Sequence, residues 1–81
     1  MEEKSLLSLE EGSSAVISSL TAAGAARRRL LDLGFTPGAR VRYLYAAPAG
    51  SPRAYMIRGA VIALRTGDAG GVLLSGGGAW D

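Results

Sequence analysis

Histidine and cysteine are both missing from this chain of 81 residues, and lysine occurs once, as Lys4. Without them there is no imidazole base, thiol nucleophile, disulfide framework or zinc ribbon. A soft-metal site within the chain is excluded for the same reason. The serines lack a histidine or a suitable lysine to activate them. No GxxxxGK[ST] phosphate loop is present, and the glycine pairs and triplets lack the strand-loop-helix setting of a dinucleotide site. Glu2-Glu3 and Glu10-Glu11 fall at a terminus and at a turn, so no catalytic carboxylate pair stands out. The chain is therefore expected not to be an enzyme and to need no cofactor and no metal. Aromatic residues make up only 6%, and no apolar run approaches the ~18 residues that cross a bilayer. The start, Met1-Glu2-Glu3-Lys4, lacks the basic end and apolar stretch of a secretory signal. A cytoplasmic protein without membrane insertion is expected.

What the chain does contain points to one small domain. Hydrophobic residues reach 48% and charged residues 20%, outside the composition of disordered chains. Twelve glycines suggest many tight turns, as in a small β domain. The net charge of +2 is unevenly spread. Residues 1–20 carry four acids and Lys4, whereas residues 21–81 carry eight arginines and three acids. Arginine's planar fork suits carboxylates and phosphates. Such a surface fits an acidic protein, a nucleotide or a nucleic acid, or simply a solvated basic face.

Periodicity divides the chain into short elements. Ala15 to Leu20 reads as a first strand, with Ala15 and Ile17 on one face. Ala26, Leu30 and Leu33 then fall on one face of a helix over about residues 25–33. Arg27, Arg28 and Arg29 are expected in its second half, near the negative end. Gly34 suits the left-handed position that ends a helix, and Phe35 follows where it can pack back on Leu30. Thr36-Pro37-Gly38-Ala39 reads as a type II turn. Arg40 to Tyr45 alternates as a half-buried strand with Val41, Tyr43 and Tyr45 inward. Ala47 to Pro52 reads as a loop. Arg53–Arg58 and Val61–Arg65 are two more strands, with Tyr55, Ile57, Ile62 and Leu64 inward. Thr66 to Gly70 is a tight turn or a single helical turn, and Gly71–Ser75 closes as the last strand. Five strands and one helix describe a small barrel, mainly β, over residues 1–75. Residues 76–81 read as a flexible glycine-rich tail that carries the single tryptophan, Trp80.

The order of these motifs resembles the FeoA family of ferrous iron transport proteins. The resemblance is carried by Leu9-Glu10-Glu11-Gly12 with Ala15 and Ile17, then by Arg29-Leu30-Leu31-Asp32-Leu33-Gly34-Phe35-Thr36-Pro37-Gly38 and Val41. Ala47-Pro48, the Pro52 to Gly59 strand, Ile62-Ala63-Leu64-Arg65 and Asp68-Ala69 continue it. It spans roughly residues 6–75. Ala60, Tyr43 and the tail Gly76 to Asp81 depart from the pattern. The resemblance implies an SH3-like barrel that acts on FeoB, a membrane ferrous iron transporter with a cytosolic GTPase domain. The same fold occurs as a C-terminal domain of iron-dependent repressors of the DtxR type. With no helix-turn-helix module read ahead of it in this sequence, a repressor function is not expected.

The candidate contact residues are Arg27, Arg28, Arg29, Arg58 and Arg65. Leu30, Leu33, Gly34, Phe35, Pro37 and Gly38 read as structural. Tyr43, Tyr45 and Tyr55 read either as core with hydroxyls at the rim or as a peptide groove. Nucleic-acid binding and binding of a proline-rich peptide stand as alternatives to the transporter, although a net +2 gives nucleic acid a weak electrostatic drive.

Overall fold

The computed structural model describes residues 4–75. The expected tail and Trp80 lie outside them. The described chain runs β1 (Lys4–Ser5), a 3₁₀ turn (Leu6–Ser8), β2 (Ser14–Leu20), α1 (Gly24–Leu33), β3 (Arg40–Ala46), β4 (Arg53–Ile57), β5 (Ala60–Leu64), α2 (Thr66–Ala69) and β6 (Val72–Leu74). The six strands form one antiparallel sheet in the order β1-β6-β2-β3-β4-β5. The expected five strands thus become six. The extra strand, β1, is two residues long, too short for a side-chain period to reveal it. Strand pairing also leaves β1 and β5 at the two ends of the sheet among the described residues.

The helix exit follows the sequence closely. Gly34 takes φ 109°, Phe35 N–H donates to the Leu30 carbonyl at 3.0 Å, and Gly34 N–H donates to that of Leu31 at 3.0 Å. This is the paired-bond helix stop in which a left-handed residue lets two N–H groups reach back to orphan carbonyls. Leu30 and Phe35 both lie in the core cluster. Ala39 N–H donates to the Thr36 carbonyl at 3.0 Å and Gly38 takes φ 90°, which is the expected turn.

The helix itself departs from its expected face. Leu30 is buried and Leu33 packs partly on the core, but Ala26 is exposed. α1 therefore touches the core through its C-terminal half only. Arg27, Arg28 and Arg29 are all exposed and lie in the middle of a helix that starts at Gly24, and its last turn holds no base. The expected offset of the helix dipole by these arginines is not formed.

One bulge redirects β3. Tyr43 stands opposite Tyr55 but Tyr45 stands opposite Ala54, so Leu44 is an extra residue in the ladder. An extra residue reverses which face the following side chains take. Val41 and Tyr43 are buried as expected, whereas Tyr45 is 57% exposed. Beyond β4, Arg58 leaves the strand expected for it. Ile57 pairs with Ala60, and Arg58 and Gly59 both have positive φ, 49° and 82°. They are the two central residues of a tight hairpin whose twist matches its strands. Arg65 likewise falls outside its strand and precedes α2, a single helical turn.

The core gathers Leu6, Ala15, Ile17, Leu30, Phe35, Val41, Tyr43, Tyr55, Ile57, Leu64, Val72 and Leu74 with smaller neighbours. No charged residue is buried among the described residues. Tyr55 is fully buried at the centre, with Phe35 edge-on at 6.4 Å and Tyr43 tilted at 5.3 Å between ring centroids. Such aromatic pairs add about 0.5–1.5 kcal/mol beyond the area they bury.

Candidate functional site: an arginine-rich surface

The five candidate arginines occupy different parts of the surface. Arg27 and Arg28 line a shallow depression on α1 with Gly24, Leu31 and Asp32. Asp32 supplies a negative charge inside that depression. Arg29 reaches Asp68 at 4.0 Å with its side chain 69% exposed, so the pair contributes little to stability. Arg65 is exposed at the start of α2.

Arg58 stands elsewhere and is held. Its guanidinium donates to the Thr36 Oγ1 at 2.9 Å. It lines a groove of about 460 Å³ with Ser14, Arg40, Val41, Arg42, Met56 and Gly59. Three arginines meet there and no acid lines the groove. Arg40 and Arg42 are two residues apart on β3, hence on one face of the sheet. Arg42 stands opposite Met56, and Val41 opposite Ile57, the residue before Arg58. Register therefore assembles the groove.

The candidate set omits Arg40 and Arg42. Their alternation with Val41 and Tyr43 marks them as outward-facing, but alternation alone does not say which distant residue they adjoin. Of the other predicted residues, Leu30, Phe35 and Leu33 serve the core, and Gly34, Pro37 and Gly38 shape the chain around it. The three tyrosines do not line a common groove: Tyr43 and Tyr55 are buried and Tyr45 points out.

Arg53 serves the interior. It is half-buried, lies over the Tyr43 ring at 4.9 Å and donates to the Leu7 carbonyl at 3.3 Å. The Tyr55 hydroxyl and the Arg53 Nε are both buried without a hydrogen-bond partner. Burial pushes the Tyr55 phenol above the usual 10.0. The nearby Arg53 guanidinium pulls it down, although no bond of ordinary geometry joins the two groups, and Tyr43 adds a push upward.

Among the described residues, no three of histidine, cysteine, aspartate and glutamate come together as metal ligands. No helix is long and apolar enough to cross a membrane.

The comparisons with known proteins agree with this geometry. The family model for the FeoA domain matches residues 4–75. The FeoA protein of Chlorobium tepidum is 36% identical, with a TM-score of 0.80, over 86% of this chain and 67% of its own. The FeoA of Stenotrophomonas maltophilia, a prokaryotic SH3 domain protein solved with zinc, is 32% identical with a TM-score of 0.78 over 88% of both chains. The FeoA-like protein of Clostridium acetobutylicum is 25% identical with a TM-score of 0.84, over 93% of this chain and 87% of its own. Manganese-dependent transcriptional repressors share the fold at 16–17% identity. No match is found among curated proteins. The zinc is a feature of the S. maltophilia structure. With the left-handed helix stop at Gly34, the Pro37-Gly38 turn and the Arg58-Gly59 hairpin all inside the matched span, the chain belongs to the FeoA family, linked to ferrous iron transport, and its fold is the SH3-like one.

Proposed function

We propose that this protein is a non-enzymatic, cytoplasmic accessory factor of ferrous iron uptake that binds the FeoB transporter by protein–protein contact and regulates it. The observation that carries the reading is the surface on which the arginines stand. Arg27, Arg28, Arg29, Arg40, Arg42, Arg58 and Arg65 are all exposed, and among the described residues the one ion pair is the loose one of Arg29 with Asp68. Arg29 reaches Asp68 and Arg58 donates to Thr36; the other exposed guanidinium groups have no internal partner among the described residues and are available to carboxylates of another protein. Membership of a ferrous iron transport family is what makes FeoB the partner proposed. Regulation then requires different affinities for at least two states of the transporter.

Calorimetric titration of this protein into the soluble GTPase domain of the cognate FeoB, with GDP and then with a GTP analogue, tests the proposal. Saturable binding that differs between nucleotides is the expected result. Equal binding would make the protein an adaptor without leverage on the nucleotide switch. Absence of binding to both that domain and the full transporter would overturn the proposal.

A further inference from the structure

The open groove between the β2–β3 face and the β4–β5 hairpin differs from the α1 depression in its charge. Its charged lining consists of Arg40, Arg42 and Arg58, with no acid among the residues that form it. Its apolar side chain is that of Met56, which stands opposite Arg42, and an unbranched methionine adapts to apolar groups of different shape. Arg58 is the one residue other than glycine with positive φ among the described residues. The first central position of such a hairpin turn favours asparagine, aspartate or glycine, so arginine is a costly choice there. Strain of this kind, held by the surrounding structure, points to a functional side chain. The hydrogen bond to Thr36 also restrains the Arg58 side chain, which reduces what binding must order.

We infer that this groove binds an acidic peptide segment of a partner protein, with carboxylates on Arg40, Arg42 and Arg58 and an apolar side chain between them against Met56. Guanidinium forks take carboxylates in paired, charge-assisted hydrogen bonds. A protein segment fits better than a nucleic acid. No aromatic residue lines the groove to stack a base, and the chain's net charge is only +2. The inference deepens the reading of the protein as a contact factor and rests on it. It singles out a surface that the α1 arginines do not share.

The test uses the full chain, labelled for amide NMR, and three probes: the capped hexapeptide Glu-Asp-Leu-Glu-Asp-Leu, its lysine counterpart, and a short oligothymidylate. The acidic peptide is expected to move the amides of Arg40, Arg42, Met56 and Arg58 saturably, and the lysine peptide is expected to move none. The Arg40→Gln and Arg42→Gln variants are each expected to weaken binding about tenfold, the effect of losing one charge-assisted pair. Arg58→Asn removes the guanidinium and its bond to Thr36 but relieves the strain of a positive φ, so the two effects on stability oppose each other and binding falls with the melting temperature little changed. A purely structural Arg58 would leave binding intact. Shifts confined to α1, tighter binding of the oligothymidylate, or full affinity in Arg58→Asn would each overturn the inference. Because the peptide arm contains no transporter, its failure is separate from failure of the titration with FeoB. Loss of peptide binding with the transporter titration intact would overturn the groove assignment alone.

Discussion

Arg58 and Thr36, twenty-two residues apart, are joined by a hydrogen bond of 2.9 Å from guanidinium to hydroxyl. The bond ties the β4–β5 hairpin to the turn that leaves α1. It restrains Arg58, one of the residues that line the arginine groove. Thr36→Val removes the acceptor and keeps the shape. The expected cost is about 0.5–1.5 kcal/mol, at the lower end because the bond is exposed. Chemical denaturation would measure it, and the same variant should bind the acidic hexapeptide more weakly because Arg58 loses its anchor.

Gly34→Ala tests the helix stop. A Cβ there would find only ordinary contacts, with the Arg58 Cδ at 3.5 Å and the Ile57 Cγ1 at 3.6 Å. The penalty therefore comes from φ 109° and not from a clash. Strain of about 1–3 kcal/mol is expected. In a domain of this size each kcal/mol lowers the melting temperature by roughly 4–8 °C. A thermal melt unchanged from the parent would refute the assignment.

Tyr55 links stability to alkaline pH. Its phenol is raised above 10.0 in the folded chain, mainly by burial. The unfolded tyrosine ionises first as pH climbs, so above pH 10 the unfolded state binds fewer protons than the native one. The contribution of Tyr55 is thus fully present below its unfolded value and is lost as pH rises through the folded one. Tyr55→Phe should flatten that alkaline loss. At neutral pH it should be neutral or slightly stabilising, because it removes a buried hydroxyl without a partner. Melts across the alkaline range check both parts, and a destabilisation of several kcal/mol at neutral pH would show that the hydroxyl has a partner.

The arginines of α1 offer a comparison with the groove. Arg27→Glu and Arg28→Glu place charges on exposed positions away from the core, and the melting temperature should stay within a few degrees. If the transporter contact extends over α1, both variants weaken the calorimetric signal. If it is confined to the groove, only the Arg40, Arg42 and Arg58 variants do.

Local chemistry made part of this protein legible from its residues in order. Leu30 to Ala39 contains its own instructions: a helix face, a glycine that accepts positive φ, a phenylalanine to pack back, and a proline-glycine turn. The bonds that stop the helix and close the turn, from Phe35 to Leu30, Gly34 to Leu31 and Ala39 to Thr36, span three to five residues, so the sequence encodes them locally, while Gly38 and Ala39 also bond to Ile17 in β2. The alternation of Arg40, Val41, Arg42 and Tyr43 was readable for the same reason. Tertiary structure decided the rest. The bulge at Leu44 turned Tyr45 outward because the ladder with β4 admits one extra residue. β1 exists only because β6 lies beside it. Arg58 became a turn residue because Ile57 pairs with Ala60. The groove depends on the pairing of β3 with β2 and β4, which sets Arg42 between Ser14 and Met56, and on the hairpin that follows Ile57. Strand alternation says which way a side chain points, and only strand pairing says what it points beside.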